Sequence, residues 1–383
     1  MTLIVYLKAK ISEYSIILQR IEQQIQLLDK PQSNHILLLQ SLKQRLLLAK
    51  ESYGKLTMIV KVGNVQLLSR GLEQLHLIEF ETYIIAYLYI PALQNEGLPE
   101  LAIRKVLLSI IQRLYLVWIR DLIVKLDGQL ATIPGLETPL FIAPPKAKIS
   151  LLEMPGLYHE IGHNFFRKFT QDLLISLKKV VNEHFSLLRK KTGFIPPDQD
   201  KVYKRAAGYW DDKRLEELFC DIFGTWSCGI AHYVSCVDMG LLYEDDPHKI
   251  NFDDEHPPMC ARVYICWITL TKLQQLEDLT KVAESSWIEH LKMYAENPDH
   301  RLICHKNLLN SFVETAVSKI EEYLPNSKRY DTDLPNDTEI EQFNSNLSFE
   351  DILNRAAKIL LMFPERYTVW ETNAMNFLGW YDN

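Results

Sequence analysis

Apolar residues recur at every third or fourth position through the first third of the chain, which is the periodicity of an amphipathic helix. Two early series show it: Ile17, Ile21, Ile25 and Leu28, then Leu39, Leu42, Leu46 and Ala49. A polar break at 28–34 separates them and offers Asn34 as the cap of the second helix, so residues 3–52 predict an αα-hairpin. Further helices are expected, in order, at 55–78, 79–95 and 98–126. Residues 1–126 are thus predicted to form an N-terminal helical module, a coiled coil or a bundle.

The pattern changes at 127–150, which is rich in glycine and proline. Residues 140–143 predict a short strand there, and the prolines that bracket it would confine such a strand to the edge of a sheet. Helical patterns resume at 151–191 and 211–238, with a loop predicted between them at 191–208.

Two polar segments interrupt the helical pattern in the rest of the chain. The first, at 243–258, predicts a loop before a helix near 259–280. The second, at 324–348, predicts an exposed connection to a last helix at about 349–362. The pattern as a whole predicts a mainly α (α+β) fold in three parts: the N-terminal module, a central domain at 127–323, and a polar linker with a C-terminal helical extension at 324–383.

The composition indicates the class of protein but not its function. The 383 residues are 47% hydrophobic and 24% charged, as in an ordinary folded, water-soluble protein, and the net charge of −7 gives no sign of a nucleic-acid partner. No apolar stretch reaches the roughly 18–20 residues of a membrane-spanning helix, and the start of the chain lacks the features of a secretory signal. We therefore expect a cytoplasmic protein with no membrane partner. Six cysteines without a CxxC pair predict reduced, buried thiols and neither a disulfide framework nor a thiolate zinc site.

The clearest chemistry lies in the sequence YHEIGHNFF at 158–166. On a helix, His159 and His163 lie one turn apart on the same face, so both imidazoles can bind one Zn²⁺ ion. Glu160 is about 100° further round the helix, away from the metal but close enough to accept a proton from a water that the metal activates, which predicts a general base. Gly162 costs roughly 1 kcal/mol relative to alanine in a helix. Close approach of a metal or substrate, or a tight helix–helix contact, would explain it.

A catalytic zinc normally has a third protein ligand and an open fourth position. The segment 214–226 supplies carboxylates, because Glu217 and Asp221 are four positions apart and share a helix face. One of them can bind zinc, and Asp221 is placed to accept a hydrogen bond from His159. Glu216 is expected to turn about 100° away, toward solvent or a surface partner. The alternative interpretation of the segment is a solvated acidic face.

These residues resemble the gluzincin metallopeptidases, in which HExxH is followed by ExxxD, here HEIGH at 159–163 and then Glu217 to Asp221. Downstream, HPPMCAR at 256–262 is similar to the His-Pro and Arg element of the family that contains the CaaX prenyl endopeptidase and the bacterial inner-membrane heat-shock protease. The resemblance covers about 150–265. Because the chain lacks the transmembrane helices of the membrane members, their membrane and prenyl-protein substrates are not carried over.

The resemblance implies a zincin-like fold and a set of roles: His159, His163 and Glu217 as zinc ligands, Glu160 as base, and His256 or Arg262 as the group that stabilises a tetrahedral intermediate. From the residues alone, His256 could instead be a loop residue that caps the helix near Met259. Arg262, on the first turn of that helix, could reach either an oxyanion or a carboxylate beside the metal. Three tyrosines could serve in its place: Tyr158, Tyr209 and Tyr233. Two further histidines lack a partner at metal spacing and are expected to be structural: His184 and His232.

The expected function is that of a zinc-dependent peptidase acting on a peptide or protein substrate, with 1–126 serving regulation, recognition of a protein partner or self-association. The strand at 140–143 could pair with an extended substrate. In one rival interpretation, the chain is a helical interaction or regulatory protein whose zinc is structural. An intact Glu160 counts against this, because stability alone does not require a base. In the other, the enzyme is an amidase or a peptidase that cleaves one dedicated partner.

Overall fold

The computed structural model describes residues 3–28, 36–64, 67–90, 98–126, 131–133, 139–143, 151–191, 197–243, 246–273, 277–295, 298–327, 343 and 347–378. The described residues are mainly helical with one small sheet, which confirms the mainly α prediction. The chain forms two compact units. The first contains 1–108, 117–127 and 133–142, and the second contains 109–116, 128–132 and 143–383.

The first unit is built on the predicted αα-hairpin. Its helices are α1 (Leu3–Leu28), α2 (Ile36–Val62), α3 (Leu68–Tyr83), continued by a π-helical turn (Ile84–Tyr89), and most of α4 (Leu98–Arg113). The two apolar series identified in the sequence pack into one buried cluster between α1 and α2. The hairpin is therefore confirmed, although α2 extends well beyond the predicted end at residue 52. The proposed cap, Asn34, lies outside the described residues.

The sheet corrects the prediction for the strand at 140–143. Strands β1 (Ile123–Leu126), β2 (Ala131–Ile133) and β3 (Leu140–Ala143) are arranged in the order β1-β3-β2, so β3 is the central strand. The edge assignment was wrong because the bracketing prolines lie outside the strand, and Leu140 to Ala143 keep every N–H that a central strand requires. Pairing of an extended substrate with β3 is excluded for the same reason, since both of its sides are occupied.

The second unit contains most of the remaining helices. They are α5 (Gly156–Lys168), α6 (Thr170–Lys191), α7 (Pro197–Tyr209), α8 (Asp212–Cys228), α9 (Ile230–Tyr243), α10 (Met259–Lys272), α11 (Glu277–Leu291), α12 (Pro298–Ile303), α13 (Lys306–Tyr323), α14 (Phe349–Met362) and α15 (Pro364–Phe377). Helix α14 has the predicted bounds. The loop predicted at 191–208 is wrong, because α7 occupies most of it. Proline at the first position of α7, with Asp198 and Asp200 in its first turn, favours a helix start.

The C-terminal helices pack in the same unit as the HExxH helix. Glu350, on α14, is buried and accepts hydrogen bonds from Tyr158 Oη at 2.7 Å and from Arg113 Nε at 2.8 Å. A capping box at Ser348 and Asp351 fixes the start of α14. None of the helices in the described part of the chain combines the length and the apolar composition that a membrane crossing requires.

Candidate metal site

Helices α5 and α8 pack closely against each other and carry the predicted site. On α5, every side chain from Leu157 to Phe166 is buried. A Cβ atom at Gly162 would lie 3.0 Å from Cys220 Cα on α8, tighter than ordinary van der Waals contact. Of the two explanations offered for Gly162, the helix–helix contact is therefore the one that the structure supports.

Side chains at both ends of α8 fix its register. Asp211 caps the N-terminus by accepting a hydrogen bond from the Arg214 backbone N–H at 3.0 Å. At the C-terminus, Gly229 has φ of 77°, a conformation that glycine adopts without steric cost, and α9 begins at the next residue. The phase of α8 determines which of its acidic side chains face α5.

His159 and His163 converge on one carboxylate. The Nε2 atom of His159 lies 3.2 Å from Glu217 Oε2, and the Nε2 atom of His163 lies 3.3 Å from Glu217 Oε1. Glu217 Oε2 is buried and makes no hydrogen bond with any described residue. The three residues predicted as ligands are thus brought together, with their metal-binding atoms facing one another.

The other nitrogen of each imidazole contacts a second carboxylate. His159 Nδ1 lies 2.8 Å from Asp221 Oδ1, as the sequence predicted, and His163 Nδ1 lies 2.8 Å from Glu216 Oε1. A carboxylate acceptor at Nδ1 fixes the proton there and leaves the Nε2 lone pair free for a metal. Both rings therefore have the orientation of paired metal ligands.

The position of Glu216 contradicts the sequence prediction that this side chain would turn away from the site. It contacts His163, and Arg167 Nε lies 3.3 Å from its Oε1 atom. The helical-phase argument compared Glu216 with Asp221 on the same helix and did not consider His163, which lies a turn further along α5 than His159. Sequence reasoning missed the contact of Glu216 with the site. The indication of this contact in the sequence was the position of Glu216 directly before Glu217.

Arg262 contacts Asp221 through both edges of its guanidinium. Nε donates to Oδ2 at 2.6 Å and Nη2 donates to Oδ1 at 2.9 Å, and both residues are buried. Burial would raise the pKa of Asp221, but Arg262 and His159 outweigh it and hold the pKa well below its ordinary value. Of the two roles considered for Arg262, the geometry therefore supports contact with a carboxylate beside the metal, because the guanidinium is engaged by Asp221.

The charges of the site shift the pKa values of His159 and Glu217. Burial would lower the pKa of His159, but Asp221 and Glu217 outweigh it and raise the pKa well above its ordinary value. Burial would likewise raise the pKa of Glu217, but contact with His159 and the charges of Arg262 and His163 lower it to about 2. Glu217 and Asp221 are therefore ionised and favour a cation beside them.

Glu160 is buried in the same region. Burial is the largest influence on this side chain and raises the pKa above the ordinary glutamate value, although the two histidines oppose it. The Asn164 side chain donates to the Glu160 carbonyl at 3.2 Å and to Thr132 Oγ1 at 3.2 Å, which links α5 to strand β2. A carboxylate whose pKa is raised above its ordinary value is a stronger base than a solvated one, as a general base requires.

His256 approaches the site from the loop before α10. Its Nδ1 atom lies 2.9 Å from Asp254 Oδ1, and its Nε2 atom lies 3.6 Å from Glu217 Oε2. Arg214 holds this loop by donating to the carbonyls of Asn251 and Phe252 at 3.2 and 2.7 Å. The His256 side chain is 53% exposed, whereas Glu217 is 13% exposed, so His256 lies on the solvent side of the carboxylate.

The tyrosines proposed as alternatives are fully buried in other surroundings. Tyr158 Oη is hydrogen-bonded to Glu350, the Tyr209 ring lies against the Arg214 guanidinium, and Tyr233 is buried in α9. All six cysteines are buried, as predicted. Burial raises the pKa of Cys220 well above its ordinary value, and this thiol lies close to both histidines.

Buried histidine and cysteine groups in the described residues could hold a metal ion at more than one place. Besides His159 and His163 with Cys220, three other groups have ligand atoms close together: His232 with Cys236 and Cys266, His248 with Cys260 and His300, and His159 with Asp221 and His232. The expectation that His232 lacks a partner at metal spacing was therefore wrong. Its partner Cys236 is four positions away on α9, which is a ligand spacing that the sequence already contained.

The resemblance of the sequence to the gluzincins stays a prediction. No family model matches the chain, and neither does any curated protein or solved structure.

Proposed function

We propose that the chain is a zinc-dependent peptidase with a zincin-like core, in which His159, His163 and Glu217 hold the metal. The observation that carries the proposal is the convergence of two Nε2 atoms on Glu217 at 3.2 and 3.3 Å. Nitrogen and oxygen ligands at ~2.0–2.2 Å from a tetrahedral zinc lie ~3.3–3.5 Å from one another. Each Nε2 atom thus lies at ligand spacing from one of the two Glu217 oxygens, and the buried Glu217 Oε2 that makes no hydrogen bond gains a partner when the ion binds.

The charge of the site supports a divalent cation. Four carboxylates contact or surround the two imidazoles: Glu160, Glu216, Glu217 and Asp221. Two guanidinium groups contact these carboxylates, those of Arg167 and Arg262. When a metal binds, both imidazoles are neutral, and with Glu160 ionised the group then carries two more negative than positive charges. Buried charges are stable only when they are compensated, and a divalent cation compensates this excess.

The chemistry assigned to the site is hydrolysis of a peptide bond. A zinc ion held by these residues would polarise the scissile carbonyl and make a water molecule more acidic. Glu160 would take the proton from that water and deliver it to the leaving amine, because its carboxylate is buried in the site and its pKa is raised above the ordinary glutamate value. A structural zinc site would not require the Glu160 carboxylate, whose burial costs free energy.

The neighbouring residues have supporting roles. Asp221 and Glu216 orient the two imidazoles through Nδ1, and Arg262 holds Asp221 in place. His256 is assigned to bind the substrate carbonyl oxygen as negative charge develops on it, because its Nε2 atom lies beside Glu217 on the solvent side.

The first unit is assigned to recognition of a protein partner or to self-association. Large apolar side chains on its helices are exposed, among them Met58, Val62, Leu77 and Phe80. Exposed apolar side chains grouped on one module are typical of protein–protein contact surfaces. This observation keeps a second candidate function in consideration, a peptidase that cleaves one dedicated partner bound by these helices.

The peptidase proposal is tested by incubating the zinc-loaded chain with an unfolded protein and with a mixture of unrelated peptides. Hydrolysis that is abolished in Glu160→Gln, with zinc still bound, supports a general peptidase. Hydrolysis of a co-purified partner alone supports the dedicated enzyme. If neither the wild-type chain nor the chain with its partner cleaves any peptide bond while zinc is bound, the proposed activity is wrong.

A further inference from the structure

We propose that His232, Cys236 and Cys266 bind a second metal ion, a zinc, through ligands other than His159, His163 and Glu217. His232 and Cys236 lie one turn apart on α9, and Cys266 lies on α10. The proposal does not depend on the peptidase activity, because it concerns a different set of ligands.

The distances among the three ligand atoms carry the inference. Cys236 Sγ lies 3.7 Å from Cys266 Sγ, and His232 Nδ1 lies 3.7 Å from Cys236 Sγ and 3.9 Å from Cys266 Sγ. Zinc binds sulfur at ~2.3 Å and nitrogen at ~2.0–2.1 Å, so two sulfurs on one tetrahedral ion are ~3.8 Å apart and a sulfur and a nitrogen ~3.6 Å apart. The cluster therefore has the dimensions of one face of a zinc tetrahedron.

Burial and charge favour a metal at this place. The exposed fractions of His232, Cys236 and Cys266 are 2%, 4% and 0%, so no charge here is solvated by bulk water. When a zinc ion binds, the two thiols release two protons, and the resulting pair of thiolates balances the two positive charges of the ion. The site is then neutral overall, which is the condition for holding charge in a protein core. Sulfur and imidazole donors are also the ligand types that select zinc over magnesium or calcium.

The cluster lies directly behind the carboxylate that orients His159. Cys266 Sγ is 3.9 Å from the backbone carbonyl of Asp221, and Thr225 Oγ1 is 3.2 Å from His232 Nδ1. A Cβ atom at Gly224 would lie 2.4 Å from His232 Nε2, so α8 and α9 approach as closely as glycine allows. A zinc ion here would link α9 to α10 and fix both against α8, the helix that carries Glu217 and Asp221.

The neighbouring group of His248, Cys260 and His300 fits a metal less well. Its Cys260 Sγ and His300 Nε2 atoms are 2.7 Å apart, much closer than the ~3.6 Å between a sulfur and a nitrogen on one zinc ion. Cys260 lies on α10, as Cys266 does, and it is also buried. It therefore provides a matched control for substitutions of the proposed ligands.

The proposal is tested with cobalt(II), which replaces zinc and gives a sulfur-to-metal charge-transfer absorption only when a thiolate is bound. The full chain carrying Glu217→Ala is loaded with cobalt, so that the first site is weakened. We expect the thiolate absorption to be present in this protein, to disappear when Cys236→Ser or Cys266→Ser is added, and to persist with Cys260→Ala or Cys220→Ala.

Three results would overturn the proposal. They are the absence of a thiolate band from the folded cobalt-loaded chain, a band that disappears with Cys260→Ala or Cys220→Ala instead, and a Cys236–Cys266 disulfide in the purified protein. If Cys236→Ser or Cys266→Ser prevents folding, X-ray absorption on the zinc-loaded Glu217→Ala chain decides the question. About two sulfur ligands per bound zinc are then expected, and a zinc environment without sulfur contradicts the proposal.

Discussion

The Nδ1 atom of His163 lies 2.8 Å from Oε1 of Glu216, so each histidine of the HExxH sequence has its own carboxylate partner. Asp221 makes the equivalent contact with His159. The two adjacent glutamates on α8 thus make different contacts: Glu217 faces the Nε2 atoms of both rings, and Glu216 contacts the Nδ1 atom of His163. This arrangement makes the individual contributions of the acidic residues measurable.

Glu216→Ala is expected to weaken metal binding by roughly 10- to 100-fold, because it removes the acceptor that orients a ligand imidazole. Glu217→Ala is expected to weaken it further, because it removes a ligand. Glu183→Ala, which changes an exposed glutamate on α6, is the control and should leave affinity unchanged. Competition with a chromophoric chelator measures all three. Equal affinity of Glu216→Ala and wild type would mean that the Glu216 contact does not support the metal.

Glu160→Gln is expected to keep its zinc while hydrolysis falls by at least about 100-fold, since a general base contributes typically 10²–10⁴ to the rate. Metal analysis and initial rates on the same preparation make the comparison. Loss of zinc together with activity would identify Glu160 as a ligand and would contradict the role assigned to it.

Gly162→Ala is expected to destabilise the fold by about 1–3 kcal/mol through overpacking against Cys220, although alanine has the higher helix propensity. Gly208→Ala is the matched control, because Gly208 is also helical and a Cβ atom there would meet nothing within 4 Å. That substitution should be neutral or stabilise the fold by up to about 1 kcal/mol. Urea denaturation of metal-free proteins measures both. Equal effects of the two substitutions would contradict the close approach of α5 and α8.

Arg262→Ala is expected to lower the free energy of unfolding by about 3–5 kcal/mol, because it leaves the buried carboxylate of Asp221 without its cation. Lys204→Ala removes one partner of an exposed ion pair with Asp200 and should leave the free energy of unfolding nearly unchanged. Urea denaturation again measures the difference. A small effect of Arg262→Ala would show that Asp221 finds another partner or takes up a proton.

The pH dependence of stability should report the low pKa of Asp221. A carboxyl whose folded-state pKa is lowered stabilises the folded state above the ordinary aspartate pKa, and loses this contribution as pH falls below it. The difference in unfolding free energy between metal-free wild type and Asp221→Asn should therefore be largest between about pH 5 and pH 6 and should shrink below about pH 4. It should also shrink as the pH rises through the raised pKa of His159, because the attraction between Asp221 and the charged imidazole is then lost. A difference that grows as the pH falls below about pH 4 would contradict this assignment.

Local patterns in the sequence were sufficient for the first helical hairpin, for α14 and for the spacing of the predicted ligands, but not for the loop predicted at 191–208 or for the end of the helix predicted at 98–126. The spacing of His159 and His163 determines a shared face as soon as a helix forms, and the apolar series of α1 and α2 determine which sides of those helices meet. Glu217 and Asp221 could be assigned because their separation of four positions needs no knowledge of a partner helix.

Features that depend on contacts between distant segments could not be predicted in the same way. The contact of Glu216 with His163 depends on the packing of α8 against α5, and the central position of β3 depends on which strands pair with it. The approach of Cys266 to His232 and Cys236 likewise requires α9 and α10 to lie side by side. Helical phase along a single element contains none of this information.

The central claim is that His159, His163 and Glu217 hold one metal ion, and the zinc content of purified His163→Ala protein tests it most directly. Purification without chelator, followed by elemental analysis beside the wild type, should show a loss of about one equivalent of zinc per chain, whatever the second cluster binds. His184→Ala, which changes another histidine of the second unit, should lose none. Identical zinc contents in wild-type and His163→Ala protein, both correctly folded, would contradict the account.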